Sequence, residues 1–330
     1  MLRPVLAFAL GLALSLYTTP LMRRAAIQFG IVDRPNGLLK TQTEPVPYLG
    51  GLAVFLAYLI ALALTFEFGY QVLGILLAGT LMLLLGLIDD LGVLSPWEKL
   101  AGQFVAVAAL LKAGLYVKLM FLSPLVALAL SIVWLLTMTN ALNIIDIMDG
   151  LAPGVATIAA VFLAGVAIHN GEPMVATMAS ALAGSLCGFL RFNFQPARIY
   201  LGDSGSLFIG LTLGALAMNG HYTTRNSLGM LVPAIILGVP LLDLTFVFVV
   251  RLQKGLSPFR GSPDHLALRL RRAGMSVRQT VAIAYTTGVV FGFAACAVME
   301  STNEAIATLM LMTFSALLLF LALMLRRTGL

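Results

Sequence analysis

The sequence predicts an all-α protein, a polytopic bundle of about 11 transmembrane helices. Of its 330 residues, 60% are hydrophobic and only 10% are charged, whereas a soluble domain carries about 25% charged residues. Apolar runs close to the roughly 20 residues needed to cross a bilayer recur along the whole chain. No long polar linker, charge block or low-complexity stretch separates them. We therefore expect residues 1–330 to form a single integral membrane domain.

Eleven apolar stretches are predicted to be membrane spans. The first looks like the hydrophobic region of a signal peptide, but Arg23 and Arg24 follow it where a small-residue cleavage site would stand, so we expect it to be retained as a helix. The eighth is marginal in length. In chain order, the predicted spans are residues 4–22, 49–66, 71–88, 99–113, 120–139, 151–168, 173–190, 206–218, 228–250, 279–299 and 303–325.

Basic residues are distributed unevenly between the two faces of this predicted bundle. If the eleven spans alternate in direction, one face receives 16 of the 20 lysines and arginines, and the other face receives Arg3, Lys112, Lys118 and Arg225. The positive-inside rule assigns the richer face to the cytoplasm. The net charge of +6 then reflects membrane topology, and we expect no nucleic-acid partner.

Acidic and polar residues form three clusters, and each cluster directly follows an apolar segment. The clusters are Asp89-Asp90, Asn140–Gly150 and Gly202–Ser206, and the alternating topology places all three at the cytoplasmic face. Carboxylates are costly within a membrane, so a chain this poor in charge is expected to keep them only where they face water and carry out a function. The sequence therefore predicts one cytoplasmic-face site built from separate segments.

The pair Asp89-Asp90 suits a divalent metal ion. Adjacent carboxylates repel each other unless a cation lies between them, and Mg²⁺ binds through one or two carboxylates together with substrate phosphates. Asp203 could join this site, because the glycines around it permit close approach and the N–H groups of the following helix attract phosphate oxygens. The alternatives are solvated acids that end a helix and, for Gly202–Ser206, an ordinary turn with a helix N-cap.

Polar residues recur at every third position of the stretch Asn140–Gly150. If this stretch is helical, Asn140, Asn143, Asp146 and Asp149 form a slanted stripe along one face. Such a stripe suits recognition of sugar hydroxyls or a nucleobase edge, or support for metal ligands. The alternative is an amphipathic helix cap at the membrane surface.

The largest predicted cytoplasmic loop, residues 251–278, is rich in basic residues and contains His265. Positive charge beside a carboxylate-rich metal site suits a substrate with a diphosphate group, although the positive-inside rule alone also explains these residues. Apart from Glu304 at the very start of the last span, Asp243 is the one acid within a predicted span. It lies about two helical turns before Arg251, and we expect it to pair with a neighbouring helix in a structural role.

These strings resemble the polyprenyl-phosphate N-acetylhexosamine-1-phosphate transferases. That family includes the undecaprenyl-phosphate N-acetylglucosamine-1-phosphate transferases and the phospho-N-acetylmuramoyl-pentapeptide transferases. The resemblance runs from about Asp33 to Arg278 and depends on the order and spacing of several motifs. They are DRPNG followed by Lys40, PVPYLGG (45–51), GLIDDLGVLSPWEKLAGQ (86–103), NALNIIDIMDGLA (140–152), FNFQPARIYLGDSGSLFIG (192–210) and SPF (257–259) before His265.

The resemblance implies a Mg²⁺-dependent enzyme of the bacterial cytoplasmic (inner) membrane, with Mn²⁺ as an alternative ion. Such an enzyme transfers a sugar-1-phosphate from a UDP-sugar to undecaprenyl or another polyprenyl phosphate and releases UMP, which begins lipid-linked glycan synthesis. Asp89, Asp90 and Asp203 match the family's catalytic and metal-binding acids. The residues expected to bind substrate are Lys40, Asn143, Asp146, Asp149, Asn193, His265 and Arg269.

The chain departs from the family pattern in its last cytoplasmic loop. Many members carry an HxHH-like motif there, whereas the string at 265–269 is HLALR, so only His265 remains and Arg269 could take over a diphosphate contact. The missing triple histidine argues against pentapeptide-transferase activity. That activity, an ion or solute transporter, and a family member that binds without catalysis are the alternatives. The UDP-sugar, the later glycan, a one-step or two-step route and a homodimeric state are left open.

Overall fold

The computed structural model of the protein describes residues 2–33, 45–117, 122–257 and 262–327, with the side chains of 314 and 317–327 excepted. These residues are mostly α-helical, which confirms the predicted all-α membrane class. They form two compact units, Met1–Gly220 and His221–Leu330. A single domain over residues 1–330 stays a prediction. Lys40, which is predicted to bind substrate, lies outside the described residues.

The described part of the first unit contains eight α-helices and a short β-hairpin. The helices are α1 (Leu2–Gln28), α2 (Gly50–Thr65), α3 (Tyr70–Asp90), α4 (Pro96–Lys112), α5 (Pro124–Ile145), α6 (Leu151–His169), α7 (Pro173–Asn193) and α8 (Gly202–Met218). The hairpin joins β1 (Val32–Asp33) to β2 (Val46–Pro47) in an antiparallel pair with Val32 opposite Pro47.

The described part of the second unit begins with a 3-10 helix at Ser227–Leu231 and continues with five α-helices. They are α9 (Val232–Ile236), α10 (Gly238–Gln253), α11 (Leu266–Arg272), α12 (Val277–Glu300) and α13 (Glu304–Arg327). The chain bends by 79° between α9 and α10. Pro240 has no N–H to donate to the carbonyl of Ile236, so the helical hydrogen-bond ladder is interrupted at this point.

Each of the eleven predicted spans overlaps a helix, and the ninth is divided into the 3-10 helix, α9 and α10. Within the described residues, six helices are long and apolar enough to cross a membrane, or seven if the bent pair counts as one span. The helices α2 and α8 and the segment Glu304–Thr313 are apolar but shorter. The number of spans, and the membrane face that carries the site, therefore stay predictions.

Helix boundaries correct one expectation about the polar stripe. Helix α5 ends at Ile145, and Asp146 has left the helical conformation with φ −79° and ψ 57°. The predicted helical stripe is therefore wrong beyond Asn143, because Asp146 and Asp149 lie in the turn that precedes α6. Gly150 ends this turn with φ 76°, a conformation in which glycine is not strained.

Helix α8 lies in the core of the first unit and packs against α2, α3 and α5. A Cβ atom on Gly86 of α3 would lie 2.3 Å from the backbone nitrogen of Ser204, and one on Gly51 of α2 would lie 2.2 Å from that of Gly205. Glycines at these positions let the helix backbones approach each other closely. The end of α3 consequently lies beside the first turn of α8, where the acidic clusters meet.

Candidate active site

Two acidic residues and one lysine meet where α3 ends and α8 begins. The Nζ atom of Lys99, in the first turn of α4, lies 2.7 Å from Oδ2 of Asp89 and 2.5 Å from Oδ2 of Asp203. Oδ1 of Asn143 accepts a hydrogen bond from the same nitrogen at 3.1 Å. One ammonium group thus links α3, α4, α5 and α8. The side chain of Asp203 is 36% exposed, against 15% for Asp89, so Asp203 is the more accessible acid.

The carboxylate of Asp203 is held through both of its oxygens. Oδ1 accepts from Nδ2 of Asn143 at 2.8 Å, and Oδ2 contacts Lys99. The same Asn143 amide donates to Oγ of Ser206 at 2.9 Å. Asn143, Asp89 and Asp203 belong to three separate clusters in the sequence. Together with Lys99 they form one hydrogen-bonded group, which we call the acid–lysine group.

Asp90 faces the backbone of α8 instead. Its Oδ1 accepts the N–H of Asp203 at 2.7 Å, and its Oδ2 accepts the N–H of Ser204 at 3.2 Å. N–H groups in the first turn of a helix have no partner within the helix, and a carboxylate both satisfies them and complements the helix dipole. Gly202 has φ 75°, and a Cβ atom there would lie 2.6 Å from Oδ2 of Asp90. Asp90 therefore holds the N-terminus of α8 in place.

We expect Asp90→Asn to lower the thermal unfolding midpoint of the purified protein. An amide keeps one acceptor oxygen but turns an NH₂ group toward a backbone N–H, and losing a hydrogen bond to a charged group costs about 1.5–3 kcal/mol. The matched control is Asp89→Asn at the adjacent position, which leaves both N–H groups of α8 satisfied. A midpoint for Asp90→Asn equal to or above that of Asp89→Asn would contradict the capping role.

Asp149 and Asn193 connect the turn before α6 to the loop after α7. Oδ2 of Asp149 accepts the N–H of Ala197 at 3.0 Å. Oδ1 of Asn193 accepts the N–H of Gly150 at 3.0 Å, and its Nδ2 donates to the carbonyl of Ile199 at 2.9 Å. Asn193 is only 3% exposed, so these contacts shape the loops around the site. Direct substrate binding by Asp149 and Asn193 stays a prediction.

Asp146 is the first residue after α5 and belongs to the same acidic environment. Burial, followed by the negative charges of Asp203, Asp90 and Asp149, raises the pKa of Asp146 well above its ordinary value. An aspartate whose pKa is higher in the folded than in the unfolded state binds protons more readily when folded. Its contribution to stability is therefore present at acid pH and is lost as the pH rises.

We expect Asp146→Asn to raise the thermal midpoint at neutral pH, because it removes a buried negative charge that is repelled by neighbouring aspartates. The gain should shrink as the pH falls toward about 4, where the wild-type carboxyl becomes protonated in both states. The measurement is a thermal unfolding series from neutral to acid pH without divalent ions, with the exposed loop variant Glu67→Gln as control. A gain that does not change with pH would contradict this electrostatic cause.

His265 and Asp243 form a buried pair in the second unit. Nδ1 of His265 lies 2.7 Å from Oδ2 of Asp243, whose Oδ1 accepts the N–H of Leu266 at 2.7 Å. Asp243 thus joins α10 to the start of α11, in agreement with the structural role expected for it. Contact between His265 and substrate stays a prediction.

Arg269 is also buried, with 2% of its side chain exposed. Its Nη2 lies 3.1 Å from Oδ1 of Asp264, and its guanidinium carbon lies 5.1 Å from the ring centroid of Phe246. Burial by itself would raise the pKa of Asp264, but the hydrogen bond and charge of Lys254 and the charge of Arg269 lower it. These contacts fit a structural role for Arg269, and the predicted diphosphate contact stays a prediction.

The acid–lysine group contains oxygen atoms of the kind that Mg²⁺ prefers as ligands. Among the described residues, no three carboxylate, histidine or cysteine side chains are arranged to hold a metal ion by themselves. The Lys99 ammonium shows, however, that Asp89, Asp203 and Asn143 direct oxygens toward one cation. Mg²⁺ prefers oxygen ligands and commonly uses one or two carboxylates with water and substrate phosphates. Asp89 and Asp203 fit this requirement, because the partner that they share is itself a cation. The oxygens of Asp90 accept backbone N–H groups of α8 instead.

Lys99 is not among the site residues predicted from the sequence. It entered the prediction only as one of the positive charges of the cytoplasmic face. The available signal was the capping box of Ser95 and Glu98, in which the Ser95 N–H donates to Oε2 of Glu98 at 2.7 Å. This motif marks the start of a helix shortly after Asp90 and predicts that Lys99 lies in its first turn.

Comparison with known proteins gives consistent matches. Residues 72–221, which contain the whole acid–lysine group, match the model of Glycosyl transferase family 4. The chain is 32% identical over 311 residues to the "probable undecaprenyl-phosphate N-acetylglucosaminyl 1-phosphate transferase" of Bacillus subtilis, covering 92% of this chain and 87% of that protein. It is 31% identical over 317 residues to the decaprenyl-phosphate N-acetylglucosaminephosphotransferase of Mycolicibacterium smegmatis, covering 84% and 78%. A phospho-N-acetylmuramoyl-pentapeptide-transferase of Heliobacterium modesticaldum is 32% identical over 237 residues, covering 65% and 73%.

Proposed function

The chain belongs to glycosyl transferase family 4, and from this premise we propose that it transfers a sugar-1-phosphate from a UDP-sugar to a polyprenyl phosphate. An oxygen of the lipid phosphate forms a bond to the β-phosphorus of the donor. The bond between that phosphorus and the bridging oxygen breaks, and UMP leaves. The product is a polyprenyl diphosphate that carries the sugar. We propose N-acetylglucosamine as the sugar, because the Bacillus and Mycolicibacterium relatives are named for it.

The observation that carries this proposal is the group formed by Asp89, Lys99, Asn143 and Asp203. Transfer of a phosphoryl group requires positive charge and hydrogen-bond donors around phosphate oxygens, and it requires little covalent participation by the protein. Lys99 supplies a positive charge beside the two carboxylates. Asp203 supplies an accessible carboxylate whose direction is set by Lys99 and Asn143.

Each of these residues can be given a role in the reaction. A Mg²⁺ ion held by Asp203 and Asp89 would offset the charge of the donor diphosphate and of the leaving UMP. If Asp203 alone held the ion, Asp89 would be the carboxylate free to accept a proton from the lipid phosphate, because Asp90 is engaged by the backbone of α8. Asp90 keeps Asp203 in position, and Lys99 holds the two reactive carboxylates on one side of the site.

We place this chemistry at the cytoplasmic face of a bacterial inner membrane, in a chain of about eleven spans. The excess of lysine and arginine on one predicted face supports this orientation. The proposed substrates have the matching properties, since a nucleotide sugar is soluble in the cytoplasm and a polyprenyl phosphate is confined to the bilayer.

The test is a radiolabelled transfer assay with purified protein, Mg²⁺, undecaprenyl phosphate and a panel of UDP-sugars. We expect a lipid-linked product and an equal amount of UMP with UDP-N-acetylglucosamine. Omission of the lipid phosphate is the control and should abolish product formation. Absence of lipid-linked product with every UDP-sugar would overturn the proposed function.

The same purified protein can be used to distinguish a direct transfer from a two-step route through an aspartyl-phosphate. Exchange of labelled UMP into UDP-sugar without lipid would indicate the two-step route, because a phosphorylated enzyme can return its group to UMP. Preferential use of UDP-N-acetylmuramoyl-pentapeptide in the panel would instead assign the alternative activity. A solute uptake assay in proteoliposomes tests the transporter alternative.

A further inference from the structure

A reciprocal pair of amides joins α4 to α5 next to the acid–lysine group. Nε2 of Gln103 donates to Oδ1 of Asn140 at 3.2 Å, and Nδ2 of Asn140 donates to Oε1 of Gln103 at 2.8 Å. Nδ2 of Asn140 also donates to the carbonyl of Leu136 at 2.8 Å. Gln103 is only 1% exposed. The pair is therefore a directional contact between the two helices.

The amide pair and the acid–lysine group occupy the same faces of the same two helices. Gln103 lies four residues after Lys99 on α4, and Asn143 lies three residues after Asn140 on α5, so each couple shares one helix face. The two helices are thus connected twice, by Gln103 to Asn140 and by Lys99 to Asn143. A rotation or shift of α4 that breaks the first connection also moves the second.

Helix α4 packs more extensively against α3, where Leu85 lies against Gly102, than against α5. Its buried side chains are Gln103, Ala106, Val107 and Leu110, and among these Gln103 alone is polar. Apolar packing is less directional than a hydrogen bond. Trp97 and Val105 on the same helix are 79% and 61% exposed. The amide pair therefore adds a directional contact between α4 and α5 to the one that Lys99 makes with Asn143.

We propose that Gln103 and Asn140 are positioning residues that fix α4 against α5 so that Lys99 reaches Asp89 and Asp203. The proposal rests on the proposed transferase function for its catalytic consequence. Neither amide needs to touch a substrate. The pair acts through Lys99, whose nitrogen must stay within hydrogen-bond distance of two carboxylates on other helices. A displacement of about 1 Å in such a group can lower a rate 100-fold.

The experiment compares two single variants, a paired apolar variant and an exchanged pair. In Gln103→Leu and Asn140→Leu we expect kcat to fall roughly tenfold or more, together with the thermal midpoint, because one buried amide loses its partner. In the double variant Gln103→Leu/Asn140→Leu both amides are gone, so the midpoint should recover. The kcat should stay low, with a smaller change in KM for the UDP-sugar.

The exchanged pair Gln103→Asn/Asn140→Gln keeps the same atoms between the two helices and should regain most of the lost kcat. Gln71→Leu, at the opposite end of α3 from Asp90, is the matched control and should keep the wild-type kcat. Recovery of kcat together with the midpoint in the double leucine variant would overturn the proposal, because it would leave the pair with a purely structural role.

A second measurement does not depend on catalysis. Cysteines replace Lys99 and Asn143 in a background with Cys187→Ala and Cys296→Ala, and a short bifunctional thiol reagent joins them. We expect a lower cross-linking yield when both amides are leucine than when the Gln–Asn pair is present. An unchanged yield would overturn the positioning role, whereas absence of product from the wild-type enzyme would overturn only the proposed function.

Discussion

Replacing Asp203 with asparagine is expected to lower kcat for sugar-1-phosphate transfer by about 1,000-fold, or roughly 4 kcal/mol of transition-state stabilisation. The variant keeps the shape of the side chain but loses the charge that Lys99 and Asn143 orient. It also removes the more accessible of the two carboxylates proposed to hold Mg²⁺, and so weakens charge neutralisation at the diphosphate. The backbone N–H of Asp203 still donates to Asp90, so the fold should persist.

The measurement is the rate of UMP release by Asp203→Asn over a range of Mg²⁺ concentrations. Glu67→Gln makes the same chemical change in an exposed loop and should retain the wild-type rate. Thermal midpoints of both variants verify that they are folded. A kcat within tenfold of wild type at saturating Mg²⁺ would remove Asp203 from the proposed chemistry.

Replacing Lys99 with methionine is expected to lower kcat by about 100-fold. Methionine keeps most of the length of the side chain but leaves Asp89 and Asp203 near each other without the ammonium group between them. Repulsion between the carboxylates then displaces them, and a positive charge is lost where phosphate oxygens are proposed to bind. Both effects act on the reacting groups, so we expect a larger change in kcat than in KM.

Lys112→Met, in the exposed last turn of the same helix, is the matched control. It removes the same charge from α4 and should leave kcat unchanged. Lys99→Arg tests geometry, because a planar guanidinium has the charge of lysine but not its compact head group. Full activity in Lys99→Met would show that the ammonium group is not needed for transfer.

The two adjacent acids at the end of α3 have different tasks in this structure. Successive residues of an α-helix point about 100° apart, so the carboxylates of Asp89 and Asp90 point in different directions. Asp89 faces Lys99, and Asp90 faces the first N–H groups of α8. Asp89→Asn and Asp90→Asn would therefore lose activity for different reasons. Loss of a proposed metal ligand in Asp89→Asn should change the Mg²⁺ dependence, whereas loss of the helix cap in Asp90→Asn should lower the thermal midpoint.

Several features of the fold could be predicted from the sequence because they depend on local properties. Bilayer thickness requires long apolar runs, and the eleven stretches predicted on this basis all overlap helices. The end of α5 was harder to predict, because Asp146 leaves the helix in a stretch whose polar spacing still suits helical periodicity. The break at Leu237 was missed for a similar reason, since the apolar run continues across it.

The candidate site could be predicted in part. The sequence indicated that Asp89, Asp203 and Asn143 belong together, and the structure brings their side chains to one ammonium group. Asn193 was predicted to be a substrate ligand, and its amide is engaged by the backbone on both sides. The sequence does not distinguish an asparagine that binds substrate from one whose amide bonds to the backbone, because the residue type is the same in both cases.

Composition and spacing alone determined that this chain is a helical membrane protein with acids at the ends of its helices. Those features follow from the cost of transferring each residue into a bilayer, which is a local quantity. Tertiary packing decided which oxygen faces which partner. It depends on how closely the glycines of α2 and α3 let α8 approach and on the proposed positioning of α4 by Gln103 and Asn140. These distances join residues far apart in the chain, and no periodic pattern in the sequence encodes them.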